Sequence, residues 1–339
     1  MIVDRYYYNQ LNKSEQAIYK AFYKGVMERK DIIPIPVKGR VTEEIFDRVF
    51  TAMTRDNPLI YFLNQSACSF AQDAFGHTAI CPQYFFSKAK IKEYNRKIEK
   101  AVNDLAVSLK LTEGTEYEKE MKVHDWMCNF VSYDDDGANI NNPIRFIEAH
   151  NIIGVFAHHR AQCEGIAKAV KVLLNAVDVK CIVATGNANG NGQNGPHAWN
   201  IVNIDGKAYQ LDVTWDIGAI GKSKDRMAYD YFNLTDEMMG SDHVPDDDLP
   251  KCDSLELNYF TKNKCYFKTK IQLMSYVTIK LKRGETDLYF RVNPKMNLNG
   301  IINDISNLAA NELAEQGQKG IRVHQSVNEG LGICWVRIF

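Results

Sequence analysis

The sequence predicts an α+β fold: an amphipathic helix packed on an antiparallel sheet, with an N-terminal helical region and a small C-terminal α+β module. Three observations lead there. Apolar residues from Ile166 to Val177 recur at helical spacing, two strand-like runs flank the turn dipeptide Asp205-Gly206, and residues 255–339 mix strand-like segments with one helix. The acidic stretch from Pro245 to Pro250 reads as a linker. The expected organisation is therefore an N-terminal helical region with a short β-meander over 1–86, a core over 87–250 and the α+β module over 251–339.

At the N-terminus, Asn12 and Glu15 have the spacing of a capping box and launch a helix through about Arg29. A second helix is expected from Glu43 to Arg55, stopped at Asp56-Asn57-Pro58. The segments 59–63, 68–72 and 78–85 carry aromatic and β-branched residues and read as a meander, with Gly76 in a turn. A charged helix from about Ala89 to Lys110 comes next, and Thr112-Glu113-Gly114-Thr115 separates it from a helix over Tyr117–Phe130. In the latter, Val123, Trp126, Met127 and Phe130 form an apolar stripe, with His124 and Asp125 beside it as solvated or packing residues.

In the helix that follows Cys163, residues Ile166, Ala167, Val170, Leu173, Leu174 and Val177 lie on one face. Cys163 thus opens the helix, where unpaired N–H groups and the positive end of the macrodipole favour a thiolate. Further on, Asp205-Gly206 is the pair that a two-residue type I′ turn prefers, because both central residues need positive φ. With Ile204 opposite Lys207, Trp199 falls opposite Asp212 and His197 opposite Thr214, on strands running from His197 to Ile204 and Lys207 to Asp216. His197 and Asp212 then become diagonal neighbours on one face, about 7–8 Å apart at Cα, within reach of an imidazole–carboxylate hydrogen bond. A thiolate to attack an acyl carbon, an imidazole to carry the proton and a carboxylate to fix the imidazole's tautomer make Cys163, His197 and Asp212 the candidate catalytic set.

Several blocks carry a family resemblance: Arg160-Ala-Gln-Cys-Glu-Gly-Ile-Ala167, His197-Ala-Trp-Asn200, Tyr209-Gln-Leu-Asp-Val-Thr-Trp-Asp216 and the run from Tyr229 to Glu237. In order and spacing, with the Tyr117–Phe130 helix and Val131-Ser-Tyr-Asp134 before them, they resemble the bacterial transglutaminase-like superfamily across about 130 residues. The resemblance implies a papain-like core, with Cys163 as nucleophile, His197 as general base and acid, and Asp212 as its orienting partner. Two positions depart from the family: Ile166 stands where Tyr is usual, and Arg160-Ala161-Gln162 lacks the usual Gly, so the immediate pocket differs. Gln162 before Cys163 is similar to the Gly-Gln-Cys-Trp of animal transglutaminases, but Glu164 replaces the Trp.

The Cys163 N–H is the natural first oxyanion donor. Candidates for a second donor or for the pocket are Gln162, Tyr133, Trp126 and Trp199. Ten residues from Asn187 to Pro196 hold three Gly and four Asn, and are expected to form an irregular, mobile loop, either a flap over the acyl site or a solvent loop. His243, after Asp242, is read as a structural hydrogen-bonding residue. In the C-terminal module, strands are expected at 277–281, 287–292, 320–325 and 334–339, with a helix over about 301–316.

Composition sets the outer bounds. With 339 residues, 45% hydrophobic, the chain can bury a large core, and 41 basic against 42 acidic residues leave a net charge of −1. There is no basic stripe, Gly-rich phosphate loop or long apolar run, so neither a nucleic acid nor a membrane is expected as a partner. Eight scattered cysteines without a C-x-x-C pair read as mostly reduced, and His158-His159 lacks tetrahedral ligand spacing, so no metal or cofactor is expected. The first residues show no signal-peptide pattern, which fits a cytoplasmic protein, or a secreted one whose leader has been removed. The expected function is thiol-dependent acyl transfer on protein or peptide amides, hydrolytic because the Trp after the nucleophile is absent. The alternatives are amine cross-linking with the same three residues, and a protein- or cell-wall-binding module that retains the fold.

Overall fold

The computed structural model describes residues 5–37, 41–64, 67–190, 192–220, 226–315, 317 and 320–339. Near the N-terminus, Asn12 and Glu15 form the reciprocal capping box that starts the Lys13–Met27 helix, and Thr42 caps the Glu43–Asp56 helix. The buried Asp56 carboxylate accepts the backbone N–H groups of Tyr7 and Tyr8 at 3.2 and 2.8 Å, tying the short Tyr6–Gln10 helix down. Three short strands, Ile33–Pro34, Thr78–Cys81 and Ser69–Gln72, pair antiparallel in that spatial order. The strand expected over 59–63 is instead a turn with one isolated bridge, Leu63 to Tyr84. Its residues Ile60 to Leu63 are buried consecutively, not alternately, so no pleated face exists there.

Two long helices, Lys88–Ser108 and Glu116–Phe130, lead to the central layer. That layer is the Cys163–Ala176 helix packed on a four-stranded antiparallel sheet of Lys207–Leu211, Gln193–Ile204, Lys180–Gly190 and His243–Pro245, in that order. Buried polar groups fix the helix against the sheet. The Asn200 amide donates to the Ala167 and Ile182 carbonyls at 2.9 and 3.1 Å, and Lys171 Nζ reaches the Cys181 carbonyl at 2.7 Å. An unmade bond at any of these buried sites would cost about 1–3 kcal/mol, so they select one packing of helix on sheet.

The segment rich in Asn and Gly differs from expectation. The pairing continues through Asn187↔Pro196, Ala188↔Gly195, Asn189↔Asn194 and Gly190↔Gln193, so most of the expected irregular loop is the regular end of a long hairpin, Asn191 lying outside the described residues. Asn and Gly have weak strand propensity, but the neighbouring strand satisfies their backbone groups and outweighs it. The shorter hairpin behaves as expected: Ile204 pairs with Lys207, and Asp205 and Gly206 both have positive φ, 50° and 80°. Its second strand, however, ends at Leu211, and Val213–Ile220 is helical, so His197 has no partner at Thr214.

The C-terminal residues form a second four-stranded sheet, Tyr266–Phe267, Asp287–Val292, Ile333–Ile338 and Val323–Asn328, the first pair parallel and the others antiparallel. The expected strand at 277–281 lies inside a helix, Lys270–Lys282, because Leu273, Val277 and Leu281 bury one face at four-residue spacing. One buried cluster runs from Tyr7 through the Cys163 helix to Leu257, and a second joins Trp199 and Tyr231 of the central region to the C-terminal sheet. Among the described residues, no helix is long and apolar enough to cross a membrane.

Glu120 is fully buried, with one oxygen accepting the Asn233 amide at 2.8 Å and the other without a partner. Burial pushes its carboxyl from 4.5 up to about 8. Between those values the unfolded chain releases a proton that the folded protein keeps, so stability falls as pH rises from 4.5 to about 8. Glu120→Gln retains the acceptor for Asn233 and removes that loss. Its unfolding free energy relative to wild type should therefore climb with pH across this window, by up to roughly 4 kcal/mol near pH 8. A difference that does not change with pH would show that Glu120 is ionised in the fold.

Candidate active site

Cys163 is the first residue of its helix and only half-buried. The residue before it, Gln162, has extended backbone, and its carbonyl accepts the first intrahelical bond from Ile166 at 3.0 Å. Gly165 must stay small: a Cβ there would lie 2.4 Å from the Ala149 carbonyl oxygen. The helix start is thereby pressed against the segment Ala149–Asn151.

His197 lies on the long hairpin, and Asp212 is the single residue between the Lys207–Leu211 strand and the Val213–Ile220 helix. The turn register brings His197 Nε2 to 2.6 Å from Asp212 Oδ2. That commits Nε2, and Cys163 is near enough to act on the same imidazole. Burial opposes a charge on His197, but the Asp212 carboxylate and the Cys163 contact outweigh it and push the imidazole up to about 10. Burial likewise opposes ionisation of Asp212, yet its two histidine neighbours hold it well below the usual carboxylate range. Asp212 Oδ1 meanwhile accepts the Trp215 N–H at 3.1 Å and caps the helix that follows. The segment from Tyr231 to Leu234 clamps this corner, with Tyr231 bonded to the Asp212 N–H and the Asp216 carboxylate, and Leu234 paired with Gln210.

The second histidine on Asp212 is His243. Its Nε2 lies 3.1 Å from Asp212 Oδ2 and its Nδ1 2.5 Å from Asp242 Oδ1. The Asp242-His243 dipeptide is visible in the sequence, but nothing local signals a contact across 31 residues. It arises because His243–Pro245 adds as an edge strand beside Gly186–Ala188. His197, Asp212 and His243 have candidate ligand atoms within 4.8 Å of one another, a spacing that a cation can also use. The separations of 2.6 and 3.1 Å to one carboxylate oxygen are hydrogen-bond lengths, and we read them so.

The remaining sequence candidates divide. Gln162 is buried, and its amide donates to the Asp134 carbonyl while its oxygen accepts the Tyr133 hydroxyl at 2.6 Å, so the amide is committed to the Tyr133–Asp134 segment. Tyr133 is on the cleft wall, close enough to Cys163 that burial and then the thiol's charge push its phenol up to about 12. Trp199 is buried, stacks at 6.1 Å on His197 and donates to Gln210 at 2.7 Å, so it supports the imidazole from behind. Trp126 packs on Phe130 and His159 at ring distances of 6.2 and 6.0 Å. His124 is not solvated as one reading of the sequence allowed; it is fully buried and bonded to Asp216 at 3.0 Å and Asp125 at 3.1 Å. His158 and His159 are exposed at the end of the Ile152–His158 helix.

A cleft of about 900 Å³ opens over His197 and Trp215. The end of the long hairpin forms one wall, and Ser326 to Glu329 of the C-terminal sheet another. A half-buried thiol, a paired imidazole and a buried carboxylate are the groups that nucleophilic acyl transfer requires. If the Asp212 charge holds the His197 proton, Asp212→Asn, which keeps an oxygen for the Trp215 N–H, should bring the His197 titration followed by NMR from about 10 down toward 6.5. An unshifted titration would show that another group holds it.

Comparison with known proteins agrees with this geometry. Residues 103–212, a span that contains Cys163 and His197 and ends on Asp212, match the family described as the transglutaminase-like superfamily. Kyphoscoliosis peptidase of Mus musculus is 22% identical over 173 residues, and that of Homo sapiens 24%; each alignment covers 48% of this chain and 26% of the relative. The chain thus matches only about a quarter of the length of these relatives. A crystal structure of a TGase superimposes with a TM-score of 0.32 and 16% identity, covering 58% of this chain and 53% of the other, a likeness too slight to add to the assignment. Over residues 103–212, about a third of its length, the chain is thus similar to the transglutaminase-like superfamily.

Proposed function

We propose that this protein is a thiol enzyme that cleaves protein or peptide amides through an acyl-thioester on Cys163. The observation that carries the reading is the His197 pairing: Nε2 lies 2.6 Å from Asp212, and Cys163, at a helix start, acts on the same imidazole. In this scheme the Cys163 thiolate attacks the acyl carbon, and the Cys163 N–H is placed to receive the developing oxyanion. His197 gives its proton to the departing amine, which leaves the thioester. Water then attacks with His197 as base, releasing the acid and restoring the thiol. Asp212 stays ionised throughout and keeps Nε2 protonated, so that Nδ1 is the nitrogen that exchanges the proton.

Hydrolysis is favoured over amine transfer because Glu164, where animal cross-linkers have Trp, is paired with Lys168 at 2.6 Å and places no aromatic wall beside the thiol. The mammalian relatives bear the name peptidase, which agrees. An open cleft walled by residues of two different sheets suits an extended polypeptide.

Iodoacetamide at pH near 6 should label Cys163 ahead of the other seven cysteines, and Asp212→Asn should slow turnover of a peptide substrate by roughly 10²–10⁴-fold. With a glutamine-containing protein as substrate, product should form without incorporation of an added primary amine, and Cys163→Ala should form none. Incorporation of the amine would replace hydrolysis by cross-linking, and uniform labelling of all eight thiols would remove the nucleophile assignment.

The cleft wall from the C-terminal sheet gives a separate expectation. Ser326→Trp narrows the cleft at a distance from the thiol, so KM for a peptide should rise at least about 5-fold while kcat changes less. Equal values for variant and wild type would place the substrate elsewhere.

A further inference from the structure

Two histidines converge on one oxygen of Asp212, and the proposed reaction uses only one of them. His243 is fully buried, with Trp215, Trp199 and Tyr231 around it at ring distances of 4.5, 5.1 and 5.8 Å. One of its nitrogens faces Asp212 Oδ2 at 3.1 Å and the other Asp242 Oδ1 at 2.5 Å. Ionised carboxylates only accept, so both contacts are satisfied when His243 carries a proton on each nitrogen. Asp242 is itself anchored, since its second oxygen accepts the Tyr231 hydroxyl at 2.7 Å, and that hydroxyl also receives the Asn328 amide at 3.4 Å. The chain of contacts therefore runs from Asn328 on the cleft wall through Tyr231, Asp242 and His243 to Asp212.

We propose that His243 is a positioning residue for the acyl-transfer site: by sharing Asp212 Oδ2 with His197, it fixes the carboxylate that orients His197 and competes for it. The competition has a sign. A cation on the far side of Asp212 draws on the same oxygen that holds the His197 proton, and so makes that proton easier to release to a leaving amine. The titratable groups facing His243 are Asp212 at the strand end, Asp242 beside it, His197 from the hairpin at a ring distance of 5.3 Å, and Tyr231 from the clamping segment. Burial opposes the charge on His243, and the bonds to Asp212 and Asp242 outweigh it.

The inference rests on the proposed acyl transfer for its catalytic meaning, but the contact can be tested without substrate. In the full-length chain, His243→Gln keeps one donor for Asp212 and removes the cation. The His197 titration followed by NMR should move upward by about half a unit or more, and kcat should fall about 10-fold with KM within about 2-fold. Asp242→Asn, which removes the charge that holds His243 protonated, should move His197 in the same direction and serves where His243→Gln does not fold. A His197 titration unmoved in the variants that fold, or moved downward, overturns the proposal. If Cys163 in the wild type reacts no faster than other thiols, the acyl-transfer reading fails, while the upward shift of His197 still reports the shared carboxylate.

Discussion

The Asp212 carboxylate is the point on which the rest of the site depends. One oxygen caps a helix through the Trp215 N–H, and the other takes both His197 and His243. An ionised carboxylate this deeply buried is costly unless every lone pair that loses water gains a donor. Here the donors come from three parts of the chain: the long hairpin, the helix after the carboxylate and an edge strand 31 residues on. The same requirement for partners that stabilises the charge also fixes the orientation of His197.

This explains why so much structure surrounds a few atoms. The Asp205-Gly206 turn sets the register, the Tyr231–Leu234 segment pins the corner, and Asn200 and Lys171 lock the Cys163 helix to the sheet that carries His197. Cys163 and His197 meet because helix and sheet can pack in only one way that satisfies those buried groups. The C-terminal sheet is joined to the same unit by a shared apolar cluster with Trp199 and Tyr231, and it supplies one wall of the cleft.

Much of this was legible in local patterns. The capping box at Asn12, the apolar stripe after Cys163 and the turn pair at Asp205-Gly206 each act within a few residues, and each forms as read. The errors share a cause. Residues 187–190 and 193–196 look like a loop by propensity but hold each other as paired strands, residues 277–281 look like a strand but are buried at helical spacing, and 213–216 leave the strand because Asp212 caps a helix. In each case a contact outside the segment overrides a preference within it.

By itself, the sequence determined the helix that presents Cys163 and the hairpin register that puts His197 and Asp212 together, because spacing and turn chemistry are local and need no partner. Only the tertiary structure decided that His243 would share the carboxylate, that the Gln162 amide would bond the Asp134 carbonyl, and that Ser326 to Glu329 would wall the cleft. Those outcomes depend on which distant backbone lies alongside and which buried polar groups must be satisfied. That is a property of the whole packed chain, which no short stretch of residues encodes.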